Sequence, residues 1–465
     1  MVVWSFITPL FSGPDEPSNF IRSAAVIRGE WVGENYPASI EKSYWSTYVD
    51  IDPQFGTANA IPWCFAPFPE KPGCGIAIED APVVDVPTWT NMGRYPPLPF
   101  FISGVGTMFG ATDLSVRFAR LMTSAVCSGL LACAAYSLIA SRRSLIGLLL
   151  AVTPGTVFLA SAMNPSAIEI CAAIAMWVIV PQLLQGSTPN RLTKTAFLVA
   201  GSALIATRPL GIVMYLVVVA ISWLAFGSRD VARFFRQNRI TLAIHTFITL
   251  FMAWWYVVVY SFQTSPSLTE GIELLPMTKR FSTAVQHIPE LLEHIVGNFG
   301  WLDTPIPRGA LLLYCIALGS TVLLSAMNWN LRIAVVLSVH VALSISIAVA
   351  VDINFYAMFG WFGAQGRHFA PVLVGVPIVA MYKQSFSKRL NSAVISVWAI
   401  AMMWSGLGAL RRYTVGIQEN NAFDMFSNRV WNPALGFWVS VVLLIASTVA
   451  VAVAFVGSQR AQVAR

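Results

Sequence analysis

Apolar runs dominate this chain and fix the solvent it folds in. Leu-, Val- and Ala-rich stretches recur from Leu145 to Val456. A soluble core cannot hide so many of them, whereas lipid can serve as their solvent, provided that every spanning segment satisfies its own backbone hydrogen bonds as a helix. Only 11% of the residues are charged, against 56% hydrophobic, while soluble domains usually carry about 25% charge. The expected fold class is an all-α polytopic membrane protein of about twelve transmembrane helices. The runs are 1–12, 113–140, 144–163, 166–184, 192–207, 209–226, 240–261, 309–327, 333–351, 369–382, 391–410 and 434–456. Several are shorter than a straight span needs, which suggests broken or tilted helices. The first run has no basic n-region and no small-residue cleavage pattern before Gly13. It reads as a clipped first span, with the natural start upstream.

The net charge of +7 does not point to nucleic acid, because the basic residues sit in short loops between apolar runs. One set of loops holds Arg142, Arg143, Arg191, Lys194, Arg229 to Arg239, Arg332, Lys383 to Arg389, Arg460 and Arg465. That is fourteen Lys or Arg against one acid, Asp230, while the other 21 of the 22 acids lie in or near the opposite loops. Short loops rich in Lys and Arg stay in the cytoplasm. The expected placement is a membrane with both termini cytoplasmic and any active site extracytoplasmic. The chain then reads as one integral membrane domain, 1–465. Its outer segments are 13–112, 262–308, 352–368 and 411–433. The first is a large loop after the first span, whose stretch 96–110 is short, apolar and interfacial. In the second, Phe281, Val285, Ile288, Leu292 and Ile295 fall at helical spacing and predict an amphipathic helix over 278–297. Cys64 and Cys74 share the first outer loop and are disulfide candidates in an oxidising exterior. Cys127, Cys133, Cys171 and Cys315 lie in spans and read as packing residues.

Five outer features carry chemistry-bearing side chains, each with a plain alternative. Asp15 and Glu16, in Ser12-Gly13-Pro14-Asp15-Glu16-Pro17, follow the first run directly. A carboxylate there can take a proton from an acceptor hydroxyl. The pair can equally be a helix start with Asp15 as N-cap, and the pattern alone favours that reading. Arg94-Tyr95-Pro96-Pro97-Leu98 sets a guanidinium beside aromatics at phosphate depth, or anchors the interface. Ala364-Gln365-Gly366-Arg367-His368-Phe369 puts two cationic groups at the outer start of an apolar span, where charge is costly and often functional. Arg208, before Pro209, sits at the outer end of a helical hairpin. Arg367 and Arg208 are the best phosphate-binding candidates, while Arg117 and Arg120 read as snorkelling to lipid. In Met163-Asn164-Pro165, Asn164 is expected to cap a helix, with Glu169 one turn in as proton acceptor or partner of Arg208. The Gly/Pro turn from Gly297 to Pro305 carries Trp301 and Asp303, where Asp303 either binds acceptor hydroxyls or caps the turn. The chain has no Walker A sequence, Rossmann glycine fingerprint or HExxH.

Taken together, Pro14-Asp15-Glu16, Tyr95-Pro96-Pro97-Leu98, Met163-Asn164-Pro165, Asn298 to Asp303 and Gln365-Gly366-Arg367 resemble the membrane family labelled domain-of-unknown-function 2142. They occur in that family's order along nearly the whole chain. The family usually has His where Asn19 stands. It is similar in layout to the GT-C glycosyltransferase superfamily, whose members use polyprenyl-phosphate sugars on the outer face of the membrane. The resemblance implies an inverting transfer from a polyprenyl-phosphate sugar lipid to a glycan or lipid acceptor of the cell envelope. It puts the acceptor-side base on Asp15, with Glu16 beside it. The donor phosphate falls to Arg367 and His368, and to Arg208 or Arg94. Tyr95, Glu169, Trp301, Asp303 and Gln365 become substrate-binding candidates. No cofactor is required, although a divalent cation near Asp15, Glu16, Asp50 or Asp52 stays compatible with these acids. Two other readings remain open: a transporter or flippase of a lipid-linked glycan, which needs polar residues through the full membrane depth, and a non-catalytic subunit of an envelope assembly complex.

Overall fold

The computed structural model describes residues 1–35, 47–83, 88–185, 190–227, 231–260, 273–417 and 423–464. The membrane part is a bundle of α-helices. Seven described helices are long and apolar enough to cross a bilayer: Asp113–Ala140, Pro165–Leu184, Ala232–Tyr260, Arg308–Ala326, Leu331–Phe359, Lys388–Val415 and Phe437–Ser458. Shorter apolar helices cover Leu98–Phe109, Gly211–Phe226 and Ala370–Met381. The fold is therefore polytopic and helical, with fewer full-length spans than the expected twelve.

The shortfall has local causes. Run 1–12 forms only α1 (Val2–Ile7), about 9 Å of helix at 1.5 Å per residue, before Phe11 and Asp15 turn the chain with positive φ. Run 144–163 breaks into α5 (Ile146–Ala151) and α6 (Pro154–Ala160). Pro154 has no N–H to donate, and Thr153 caps α6 at Thr156 while donating to the Ile295 carbonyl at 2.7 Å. Run 369–382 divides into α15 (Ala370–Leu373) and α16 (Gly375–Met381). The helix expected over 278–297 is two helices, α11 (Met277–Gln286) and α12 (Ile288–Gly297), divided ahead of Pro289; residues 262–272 of that outer segment lie outside the described residues.

The bundle is arranged around α7 (Pro165–Leu184), which is buried along its whole length. A helix apolar on every side can be covered by lipid or by protein; α7 is covered by protein, packing against α4 (Asp113–Ala140), α8 (Arg191–Thr207) and α9 (Gly211–Phe226). Trp177 on α7 donates to the Pro371 carbonyl at 2.9 Å and stacks on His340 of α14 (Leu331–Phe359). The remaining long helices are α10 (Val231–Trp254), α13 (Arg308–Ala326), α17 (Lys388–Val415) and α18 (Phe437–Ala464).

The basic loops meet at one end of this bundle. Arg143 donates to Gln185 and lies over Tyr382, Arg332 donates to the Leu224 carbonyl, and Lys383 lies over Phe226. At the other end, segment 13–112 builds a small structure of its own. Helix α2 (Glu16–Ile27), helix α3 (Leu98–Gly104) and a three-stranded antiparallel sheet, β1 (Glu34–Asn35), β2 (Thr47–Tyr48) and β3 (Trp89–Thr90), flank a separate core containing Phe11, Phe20, Ile21, Phe55 and Ile78. A two-stranded ribbon, β4 (Asn298–Phe299) with β5 (Thr304–Pro305), holds the Trp301 turn against this end. Cys64 and Cys74 are disulfide-bonded, with Cα atoms 6.3 Å apart.

Candidate functional site

The site is organised by the turn from Phe11 to Glu16. Asp15 adopts left-handed backbone angles, φ 59° and ψ 12°, at the N-cap of α2 without a side-chain cap hydrogen bond. Such a conformation costs a non-glycine residue about 1–2 kcal/mol, so its surroundings must hold it. They do so through the other sequence motifs. Asn164 caps α7 with its side-chain oxygen, and its amide nitrogen donates to the Pro14 carbonyl at 3.1 Å. Asn19 donates to the Met163 carbonyl at 2.7 Å, and the Trp301 indole donates to the Phe11 carbonyl at 2.9 Å. Gly13 lies so close to Ala162 that an added Cβ would sit 2.8 Å from the alanine Cβ. The consequence is that the Asp15 carboxylate, 35% exposed, meets the Arg367 guanidinium with Oδ2 at 2.5 Å from Nη2.

Glu16, the adjacent acid, takes no part in that surface. It is fully buried, and Arg120 grips both of its oxygens at 2.7 Å. The backbone N–H groups of Met163 and Gly13 complete its shell at 3.1 and 3.0 Å. With two guanidinium and two amide donors already engaged, Glu16 is not available as a base. Arg120 likewise does not snorkel: it is fully buried and also donates to the Ser5 and Pro9 carbonyls. It thereby ties the end of the first apolar run to α4.

Two cavities open on either side of Asp15. One, of about 290 Å³, is lined by Asp15, Asn19, Asn91, Tyr95, Ser166, Arg208, Tyr260, Gln365, Arg367 and His368, with Phe355 and Phe359 at the end of α14. We refer to it as the arginine cavity. Arg208 is aimed by Ser166 at 2.9 Å and by the buried Glu169 at 3.4 Å, so Glu169 is the partner of Arg208 and does not itself line the cavity. Gln365 Oε1 and Arg367 Nε are buried without a hydrogen-bond partner. Buried polar groups in this condition call for a ligand or water. Tyr95 and Tyr260 meet edge to face, with centroids 5.5 Å apart. Tyr260 ends a π-helical turn, Trp255–Tyr260, and such turns often mark functional sites.

The other cavity, of about 430 Å³, is lined by Asp15, Pro17, Ser18, Asn59, Pro62, Trp63, Ala66, Pro67, Trp89, Asn91 and Trp301. We refer to it as the tryptophan cavity. Asp15 and Asn91 line both cavities.

Two expected ligand contacts lie elsewhere. Arg94 is buried and donates to the carbonyls of Gly33 and Val259, while its own carbonyl accepts from Trp255. Desolvation lowers its pKa, and it seats the loop on the π-helical turn without lining the arginine cavity. Asp303 accepts from the Trp301 backbone N–H at 2.9 Å and pairs with Arg412 at 2.7 Å, so it shapes the Trp301 turn and lines neither cavity. Arg412 is one of two adjacent arginines at the end of α17, and nothing in the sequence distinguishes it. It is buried and donates to the carbonyls of Phe65, Phe68 and Lys71. Arg22, inside α2, stands in no motif that would mark it. It donates to the Trp31 and Tyr95 carbonyls, and burial lowers its pKa to about 9 despite the Glu30 charge. The four acids considered for a divalent ion do not cluster: Asp52 caps Gln54, and Asp50 offers its backbone N–H to Glu30. Among the described residues, no group of three or more His, Cys, Asp or Glu side chains is arranged to hold a metal ion.

A family profile described as "Predicted membrane protein (DUF2142)" matches residues 1–376. No curated protein matches the chain. Among solved structures, the chain is similar to the crystal structure of ArnT from Cupriavidus metallidurans bound to undecaprenyl phosphate. The identity is 15% and the TM-score 0.48, over 99% of this chain and 74% of that one.

Proposed function

The chain belongs to the DUF2142 family of membrane proteins, and from the two cavities that share Asp15 we propose that it is a glycosyltransferase using a polyprenyl-phosphate sugar as donor. The carrying observation is the Asp15 carboxylate standing between a cavity with two guanidinium groups and a cavity walled by indoles. The donor phosphate occupies the arginine cavity, between Arg367 and Arg208. Arginine has five N–H donors, and Asp15 accepts from Arg367 only at Nη2, so other N–H groups of this cavity-lining side chain are left for a phosphate oxygen. Gln365, His368 and Tyr95 line the same space for the sugar and phosphate.

In the transfer, an acceptor hydroxyl attacks the anomeric carbon and its proton passes to Asp15 as general base. The bond between that carbon and the phosphate oxygen breaks, and its electron pair leaves with the polyprenyl phosphate. Arg367 and Arg208 stabilise the charge that develops there. One displacement inverts the anomeric centre. By charge distribution the basic loops face the cytoplasm and the cavities face the extracytoplasmic side, where a lipid-linked donor replaces the missing nucleotide sugars. The protein then works in a bacterial plasma membrane, on a cell-envelope glycan or lipid. A flippase reading has less support, since neither cavity is lined by a residue of the basic end.

The test is transfer of a labelled sugar from polyprenyl phosphate in membranes holding Asp15→Asn at the wild-type protein level. A loss of roughly 100-fold or more, as for removal of a general base, is expected; full activity with Asn at this position would overturn the assignment.

A further inference from the structure

We infer that the tryptophan cavity is a saccharide subsite, so that the acceptor is a neutral glycan whose sugar rings stack on Trp63 and its neighbouring indoles. The inference rests on the glycosyltransferase reading and adds the chemical class of the acceptor. The two cavities differ in charge. The arginine cavity is lined by Arg208 and Arg367, whereas the tryptophan cavity has no basic residue in its lining, and Asp15 is its one carboxylate. An acceptor that presents a phosphate or carboxylate would find no cation in this lining, because the Arg367 that pairs with Asp15 lines the other cavity. A neutral polyol meets the walls it needs. Each sugar ring has an apolar C–H face that lies flat on an indole and a rim of hydroxyls that both donate and accept. Trp63, Trp89 and Trp301 supply the flat surfaces, while Asn59, Asn91 and Ser18 supply groups able to pair with hydroxyls. At about 430 Å³ the cavity falls within the roughly 300–1,000 Å³ of small-molecule sites.

Trp63 is 68% exposed, although its loop is among the most firmly held at this end. The disulfide partner Cys64 follows it directly. The carbonyls of Phe65, Phe68 and Lys71 are fastened by Arg412. A large apolar side chain displayed on a rigid mount loses little conformational entropy on binding, which is how aromatic anchors contribute affinity. Trp301 is fixed in the same way, by its indole bond to Phe11 and its backbone bond to Asp303. Asp15 at the cavity edge then faces whichever hydroxyl the stacked ring presents.

The test uses full-length protein in nanodiscs and short neutral oligosaccharides of hexoses and pentoses as probes, without donor. Saturation-transfer NMR should show magnetisation passing to sugar C–H protons in the wild type and in Asp15→Asn, and should lose it in Trp63→Ala. In the transfer assay, Trp63→Ala should raise the acceptor KM about tenfold with the donor KM within twofold, and Trp63→Phe should recover most of the loss. Unchanged sugar binding and acceptor KM in Trp63→Ala would overturn the inference while leaving the transferase reading intact. Quenching of Trp63 by brominated lipid, with no sugar contact, would also overturn it and make the residue a bilayer anchor. Sugar binding by a wild type that transfers nothing would sink the transferase reading and keep the subsite.

Discussion

Asp15 and Arg367 are 352 positions apart in sequence, yet Asp15 Oδ2 lies 2.5 Å from Arg367 Nη2 at the junction of the two cavities. On the proposed reading, this one guanidinium serves both the base and the donor phosphate: a bound phosphate would share Arg367 and weaken its hold on Asp15, freeing the carboxylate to take a proton. Arg367→Ala should therefore lower transfer by roughly 10²–10³, the range for loss of a donor to developing charge. Arg367→Lys should restore little, because a single ammonium cannot serve carboxylate and phosphate with a planar fork. Steady-state kinetics with labelled lipid donor reads both; wild-type rates in Arg367→Lys would contradict the shared role.

Glu16→Gln tests the opposite expectation for the neighbouring acid. It leaves the buried Arg120 charge without its carboxylate, and breaking a buried pair costs about 3–5 kcal/mol. The variant should show a lower Tm in detergent and reduced folded yield, whereas Asp15→Asn should keep both. Equal Tm values for the two variants would show that Glu16 does not hold the turn.

Arg412→Lys should loosen the wall of the tryptophan cavity without touching the arginine cavity. It keeps the charge but gives up the fork that joins Asp303 to the carbonyls of Phe65 and Phe68. Limited proteolysis should cut the 61–74 loop faster, and the acceptor KM should rise with little change in donor KM. A proteolytic pattern identical to that of the wild type would mean that the disulfide alone holds this loop.

Sidedness is checked with single cysteines in a background where Cys315, the exposed thiol, is Ser. Ser427→Cys, at the end that bears the cavities, should react with a membrane-impermeant maleimide in intact cells. Ser385→Cys, among the basic loops, should react only after permeabilisation. The reverse pattern would invert the proposed orientation.

Much was legible in the sequence because it depends on local pattern and composition. The apolar runs required helices in lipid, and the clustering of Lys and Arg sorted the loops into two groups, of which contacts bring the basic one together at one end. Asn164 beside Pro165 announced the start of α7, and Cys64 with Cys74 announced a bridged loop. Span number was not legible: α5 and α6 break at Pro154, and α15 and α16 split a run that hydropathy reads as continuous.

Local pattern is enough to specify the class of fold and the set of unusual polar residues at one end, because desolvation in lipid makes each such residue costly and therefore conspicuous. Which of them share a cavity depends on how distant segments pack. Asp15 and Glu16 are neighbours in the chain, but a left-handed turn sends one carboxylate to Arg367 and the other to Arg120. Arg94, Arg208 and Arg367 look alike in a sequence, yet backbone carbonyls absorb Arg94 while Ser166 and Glu169 aim Arg208 into the cavity. The partners that make this choice come from distant segments, and a guanidinium's role is set by whichever acceptors packing brings within about 3 Å of it.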